Sequence, residues 1–206
     1  EFRRVLFRSG RMIAFLGFND RATSNQEFSL WVMNRDGSNA RPLTDSMDVG
    51  VTEFGWDSRG GLYFAYDQQG TTKLAYTTPK GGTRVLASGL GGEDIGRPYS
   101  GVSMSIAGDG TIATNVTSAN QPGDVAVVKG NNLRRLTRLN DDVAAIRDLA
   151  RVEEIWTTAA DGVKSQSWIM KPANFDPSRK YPMILEIHGG PHTNYGARFS
   201  AVMQAY

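Results

Sequence analysis

The sequence predicts a mixed fold: the C-terminal blades of a β-propeller, then the opening strands and first helix of an incomplete α/β domain. Two observations carry this. Short strand-like runs separated by turn glycines recur three times before about Leu139. After Asn140 the texture changes to hairpin, loop, apolar run, glycine loop and helix stripe.

Composition sets the outer limits. Of 206 residues 40% are hydrophobic and 21% charged, ordinary for a globular chain, and no run approaches the roughly 18 apolar residues of a membrane helix. The absence of Cys excludes disulfides and thiolate chemistry. Residues 1–9, Glu1-Phe2-Arg3-Arg4-Val5-Leu6-Phe7-Arg8-Ser9, match one reading frame of a common sequencing-library adapter and are set aside as a scar. Removing Arg3, Arg4 and Arg8 from 23 basic residues and Glu1 from 21 acidic ones leaves 20 of each, so the formal charge falls from +2 to zero. The basic balance therefore indicates neither nucleic acid nor a membrane as partner. Cytoplasmic and periplasmic or secreted locations both stay open, as does the oligomeric state.

Residues 10–139 hold the repeat. Met12-Ile13-Ala14-Phe15-Leu16-Gly17-Phe18 is a strand candidate closed by Asn19-Asp20. Leu30-Trp31-Val32-Met33 runs into a turn at Asn34-Arg35-Asp36-Gly37, and Arg41-Pro42-Leu43-Thr44 follows. A second copy has Leu62-Tyr63-Phe64-Ala65-Tyr66, Gly70, Lys73-Leu74-Ala75-Tyr76, a turn at Lys80-Gly81-Gly82 and Thr83-Arg84-Val85-Leu86. A third has Thr111-Ile112-Ala113-Thr114-Asn115, Asp124-Val125-Ala126-Val127-Val128, Lys129-Gly130 and Arg134-Arg135-Leu136-Thr137. The closing residues Leu43, Leu86 and Leu136 lie 43 and 50 residues apart, the period of propeller blades. Trp56-Asp57-Ser58-Arg59-Gly60-Gly61 supplies a turn between them. A β-sandwich is the alternative, but it does not need so long a period.

Other motifs within the repeat read as bland. Gly89-Leu90-Gly91-Gly92-Glu93-Asp94 is not followed by the Gly-Lys-Ser/Thr of a phosphate cradle. Asp36-Gly37 and Asp109-Gly110 lack the ligand spacing of a calcium loop. Asn115-Val116-Thr117 is a formal glycosylation sequon inside a strand candidate. No cofactor or metal site is expected.

Residues 140–206 differ. Residues 141–149 read as a short helix with Asn or Asp at its cap. Glu153-Glu154-Ile155-Trp156-Thr157-Thr158 and Lys164-Ser165-Gln166-Ser167-Trp168-Ile169-Met170 flank Asp161-Gly162, a hairpin signal. Pro172 ends that second strand. After Tyr181-Pro182 the run Met183-Ile184-Leu185-Glu186-Ile187 reads as a buried strand entering His188-Gly189-Gly190-Pro191. Paired glycines let a backbone N–H approach a ligand closely, because no Cβ stands in the way. The rival reading is a tight turn in which His188 is merely structural. Phe199, Val202, Met203 and Tyr206 then fall on one helix stripe.

Blades closing in Leu-Thr, then Glu-Glu-Ile-Trp-Thr-Thr, Asp-Gly-Val-Lys, Lys-Pro-Ala-Asn-Phe-Asp-Pro and Tyr-Pro-Met-Ile-Leu-Glu-Ile-His-Gly-Gly-Pro-His-Thr-Asn-Tyr-Gly resemble the prolyl oligopeptidase family of serine peptidases. The likeness is strongest to its acylaminoacyl-peptidase and dipeptidyl-peptidase-like branch, and most specific over residues 152–196. The resemblance implies a gating propeller stacked on an α/β-hydrolase, short peptide substrates, and acyl transfer by a Ser/Asp/His triad. It assigns the oxyanion-hole loop to Gly190, whose N–H faces the oxyanion, with Gly189 allowing the backbone path and His188 and Pro191 fixing the loop.

The triad of this fold follows the glycine loop, and no Gly-x-Ser-x-Gly occurs in the chain. The two histidines, His188 and His192, lie on the loop itself, and neither is assigned as catalytic base. The catalytic residues are therefore expected downstream of Tyr206, and the 206-residue fragment is expected to be inactive alone. Two other functions compete. One is an esterase on the same hydrolase fold. The other is a TolB-like propeller binding module, whose repeats Leu30-Trp31-Val32-Met33-Asn34-Arg35-Asp36-Gly37-Ser38 resembles. Open strand edges and an apolar strand without parallel neighbours further predict aggregation on expression.

Overall fold

Asp-Gly turns set the strand pairing of this chain. The computed structural model describes residues 4–6, 10–23, 25–146, 148–190 and 193–206. At Asp36-Gly37, Asp109-Gly110 and Asp161-Gly162 the same device recurs. The carboxylate accepts the N–H two residues on (Ser38, Thr111 and Val163, at 2.9, 2.9 and 3.0 Å), and the glycine takes φ of 81–87°. A side chain with a Cβ seldom adopts that backbone, whereas glycine does so freely. Two backbone bonds close each turn: Asn34 N–H to Ser38 O, Ala107 N–H to Thr111 O and Ala159 N–H to Val163 O, each 2.8 Å, and the glycine N–H back to Asn34 O, Ala107 O and Ala159 O at 2.9–3.0 Å.

Three consecutive four-stranded antiparallel meanders result. The first orders β1 (Arg4–Leu6), β2 (Met12–Gly17), β3 (Ser29–Asn34) and β4 (Arg41–Pro42) side by side. The second runs β5 (Val51–Trp56), β6 (Leu62–Gln68), β7 (Thr71–Thr78), β8 (Gly81–Leu90). The third runs β9 (Met104–Ile106), β10 (Ile112–Ser118), β11 (Gln121–Lys129), β12 (Asn132–Arg135). The last two meanders touch edge to edge at a single pair, Val116 opposite Leu90. Residues 1–9 were set aside at the sequence level, yet the backbone of Arg4–Leu6 pairs with β2 along its sheet edge. A sheet edge is open to any extended backbone, because its unpaired N–H and C=O groups read no sequence.

Period-two alternation explains why the second meander is buried on both faces. On β6, Leu62, Phe64 and Tyr66 pack with Leu30, Val32 and Phe54 towards the first meander. Tyr63, pointing the other way, packs with Leu74, Leu90, Ile112 and Val128 towards the third. The three closing leucines fare differently: Leu86 is buried and Leu43 half-buried, while Leu136 is exposed just past the edge strand β12.

Buried aspartates stitch the strand ends. The carboxylate of Asp57 accepts the N–H groups of Arg59 and Gly61 at 2.7 and 2.8 Å and the Tyr76 hydroxyl at 3.1 Å. That of Asp124 takes the Thr137 hydroxyl at 2.7 Å and the Leu139 N–H at 3.0 Å, and pairs with Arg135 at 3.3 Å. Burial pushes both carboxyls up, but these donors together outweigh it and hold both below the ordinary aspartate value.

Beyond the meanders lie α1 (Asp141–Ile146), the hairpin β13 (Arg151–Thr158) with β14 (Lys164–Lys171), and α2 (Ala201–Ala205). The helix expected over 141–149 is thus shorter, and Arg147 lies outside the described residues. In α2 the Ser200 hydroxyl accepts the Met203 N–H at 3.1 Å, a side-chain N-cap. Of the expected stripe, Phe199 is buried and Val202 and Met203 half-buried, while Tyr206 falls past the helix end and is exposed.

One expectation fails. Residues 183–187 form no strand, and Met183, Ile184, Leu185 and Ile187 are 62–86% exposed. An apolar run buries itself as a strand only when neighbours satisfy its backbone and cover both faces. Among the described residues none pairs with it. No helix among them is long and apolar enough to cross a membrane.

Candidate active site

The glycine loop sits against the connection between β8 and β9. The hydroxyl of Tyr99, from that connection, accepts the Gly189 N–H at 3.1 Å. The Gly189 carbonyl in turn accepts the Thr193 hydroxyl, and the Nδ1 of His188 lies 3.0 Å from the same oxygen. Gly190 has φ of 134°, backbone that side chains rarely adopt. Pro191 and His192 lie outside the described residues. Of the four loop residues singled out from sequence, His188, Gly189 and Gly190 are contiguous and exposed.

Aromatic and charged groups brace this loop from below. Tyr99 and Tyr195 form an isolated antiparallel backbone bridge, and their rings meet at 4.8 Å between centroids. The His188 ring lies edge-on to Tyr195 at 5.7 Å. Arg97 pairs with Glu186 and also donates to the Tyr195 hydroxyl at 3.0 Å, while that hydroxyl lies 3.3 Å from the same Glu186 carboxylate. Burial raises the Tyr195 pKa, and the hydrogen bond with Tyr99 adds to that rise. Glu186 is the half-buried member of the otherwise exposed run 183–187, and Arg97 is its anchor.

The chain after the loop then docks on the second and third meanders. Gly196 N–H donates to Pro98 O at 3.1 Å, and Ser200 Oγ donates to Gly96 O at 2.7 Å. Arg198 is buried: its Nη2 meets Asp67 at 3.1 Å and the Thr72 hydroxyl at 2.8 Å, and its Nη1 reaches Pro98 O at 3.5 Å. Burial lowers the Arg198 pKa, and the charge on Asp67 offsets part of that. Gly70 and Gly196 meet backbone to backbone, with Trp168 of β14 packed over Gly70.

Sequence reasoning passed over Tyr99, Arg97, Glu186, Tyr195 and Arg198 as site residues. Each bond their side chains make joins positions 89–131 residues apart, except Tyr195 with Glu186, so no local spacing announced them. Asn194-Tyr195-Gly196 was part of the quoted motif and was the available signal. Among the described residues no group of three or more His, Asp or Glu side chains gathers as a metal-ion site.

No protein-family profile matches the chain. The Bacillus subtilis (strain 168) protein named Uncharacterized peptidase YuxL is 32% identical over 138 residues, 66% of this chain and 20% of the relative. Dipeptidyl-peptidase 5 of Arthroderma otae is 28% identical over 205 residues, 95% of this chain and 27% of its own length. Its relatives are thus named peptidases, and its structural neighbours are acylaminoacyl peptidases of the prolyl oligopeptidase family. Among solved structures, acylaminoacyl peptidase from Pyrococcus horikoshii superposes with a TM-score of 0.78 over 98% of this chain and 30% of that one, at 19% identity. The β-propeller domain of the Trilobed protease from Pyrococcus furiosus matches 64% of this chain and 36% of that one, with a TM-score of 0.50 and 17% identity. The chain thus shares its fold with part of these proteins and spans 20–27% of the length of the two prolyl oligopeptidase family relatives.

Proposed function

We propose that this chain is the junction segment of a serine peptidase that hydrolyses short peptides. The meander strands of residues 10–139 are the last blades of its propeller, and residues 140–206 open its α/β-hydrolase domain. The observation that carries this reading is the commitment of one loop N–H and the placement of the next. Tyr99 takes the Gly189 N–H. The oxyanion of the acyl-transfer intermediate then falls to the N–H of Gly190, on a backbone that only glycine adopts readily.

Chemically, a carbonyl under attack gains negative charge on its oxygen. A fixed N–H dipole in a water-poor cleft lowers that barrier without reorganising, and removing one such donor typically costs about 10²–10³ in kcat. The nucleophile, base and orienting acid are Ser, His and Asp residues beyond Tyr206, in the Ser, Asp, His chain order of this fold. Neither His188 nor His192 takes the role of base. The 206 residues alone therefore hold the donor without the group it serves, and carry no hydrolase activity.

Relatives named peptidase and dipeptidyl-peptidase favour peptides over esters, and the loop region leaves a pure binding module without a reason for its glycines. The test is to read the source DNA past Tyr206. A Gly-x-Ser-x-Gly elbow followed by Asp and His supports the proposal. A frame that continues into a complete further domain without an elbow serine contradicts it.

A further inference from the structure

We propose that Tyr99 is a positioning residue for the oxyanion loop, so that the connection between β8 and β9 sets the geometry of the acyl-transfer site. The inference rests on the reading of Gly190 as the oxyanion donor. Tyr99 lies 90 residues before the loop, yet its hydroxyl is the acceptor for the Gly189 N–H at 3.1 Å. The phenol is itself held in place. Its ring packs on Tyr195 at 4.8 Å and its backbone bridges that residue, while the Tyr195 hydroxyl is held between Arg97 and Glu186. Arg97 and Tyr99 thus grip the loop at two points, Glu186 before the glycines and Gly189 within them.

The consequence is orientational. The plane of the peptide between His188 and Gly189 is fixed by the Tyr99 bond, and the carbonyl of Gly189 is held from the other side by Thr193. That carbonyl belongs to the same rigid peptide unit as the Gly190 N–H, so pinning one aims the other. A paired glycine is otherwise the most mobile backbone available, and aiming a donor with it requires an external brace. Misplacement of a reacting group by about 1 Å can cost 10²-fold in rate. The bracing side chain comes from the β-meander part of the chain and the braced loop from the part after it. Movement between the two parts would therefore be felt directly at the donor.

The test is Tyr99→Phe in the peptidase that carries this chain, with short peptide substrates and a peptide aldehyde as transition-state mimic. Phenylalanine keeps the ring contact with Tyr195 and removes the hydroxyl, which accepts the Gly189 N–H and also meets the Tyr195 hydroxyl. The expected result is a fall in kcat of about tenfold to a hundredfold, KM within about twofold, an aldehyde affinity weakened by the same factor, and an unchanged melting temperature. On the 206-residue chain, amide hydrogen exchange at Gly189 is expected to speed up by about tenfold in the variant.

An active wild type whose kcat and aldehyde affinity survive Tyr99→Phe overturns the inference and leaves the peptidase reading standing. A rise in KM equal to the loss of kcat/KM also overturns it, because Tyr99 then binds substrate rather than aiming the loop. A wild-type protein with no hydrolase activity sinks the peptidase reading first, and the inference with it.

Discussion

At the scale of single residues, buried charge is where the fold is most exposed to perturbation. Asp57 and Asp124 have folded pKa values below the unfolded value of about 3.9. Their contribution is present above about pH 4 and lost as pH falls through the depressed folded values. Urea unfolding followed by Trp fluorescence at low protein concentration is therefore expected to show a midpoint that drops steeply in acid. Asp124→Asn should flatten that dependence and lower stability near neutral pH by about 2–3 kcal/mol, since it weakens the Thr137, Leu139 and Arg135 contacts. Arg198→Lys addresses the docked segment. A lysine cannot span Asp67, Thr72 and Pro98 with one planar fork, and a loss of about 2–4 kcal/mol is expected in the same assay. These residues were invisible as partners in the sequence, because a buried Arg and its Asp 131 residues away leave no local pattern.

At the scale of elements, what was legible was what local chemistry decides. Asp-Gly turns at 36–37 and 161–162 announce their hairpins because carboxylate and glycine make the turn by themselves, and Asp109-Gly110 carries the same signal, though at the sequence level it served only to exclude a calcium loop. The alternating run at 62–66 gives β6 for the same reason: its pattern is set by its own two faces. The run 183–187 misled because an all-apolar strand is defined by its neighbours rather than by its own period. Among the described residues those neighbours are missing, and the run lies exposed. The glycine loop was legible as residues but not as a geometry, since its braces come from 97–99. A close approach tests the docking of this region. In Gly196→Ala the new Cβ would land on the Gly70 carbonyl, which is backbone and cannot turn away. Faster proteolysis within 193–206 and a loss of about 1–3 kcal/mol are expected, with the β5–β8 amides keeping their hydrogen-exchange protection.

At the scale of the whole molecule, three meanders share two cores, and a docked tail holds an apolar run out into solvent. Such a run, with open sheet edges nearby, drives self-association. Light scattering is expected to show concentration-dependent assembly of the 206-residue chain. Leu185→Lys with Ile187→Lys should suppress it without changing the far-UV circular dichroism, because neither side chain is packed. Monomeric behaviour of the unchanged chain at tens of micromolar would contradict this. The family relationship and the braced glycine loop lead to one claim, that an oxyanion donor here serves a serine nucleophile carried beyond Tyr206. The most direct measurement is fluorophosphonate labelling, read by mass spectrometry, of both the 206-residue chain and the protein from the longer reading frame. The expected result is one labelled serine in the longer protein, in a Gly-x-Ser-x-Gly elbow, and none in the short chain. A label on any serine before Tyr206, or none in the longer protein, would contradict it.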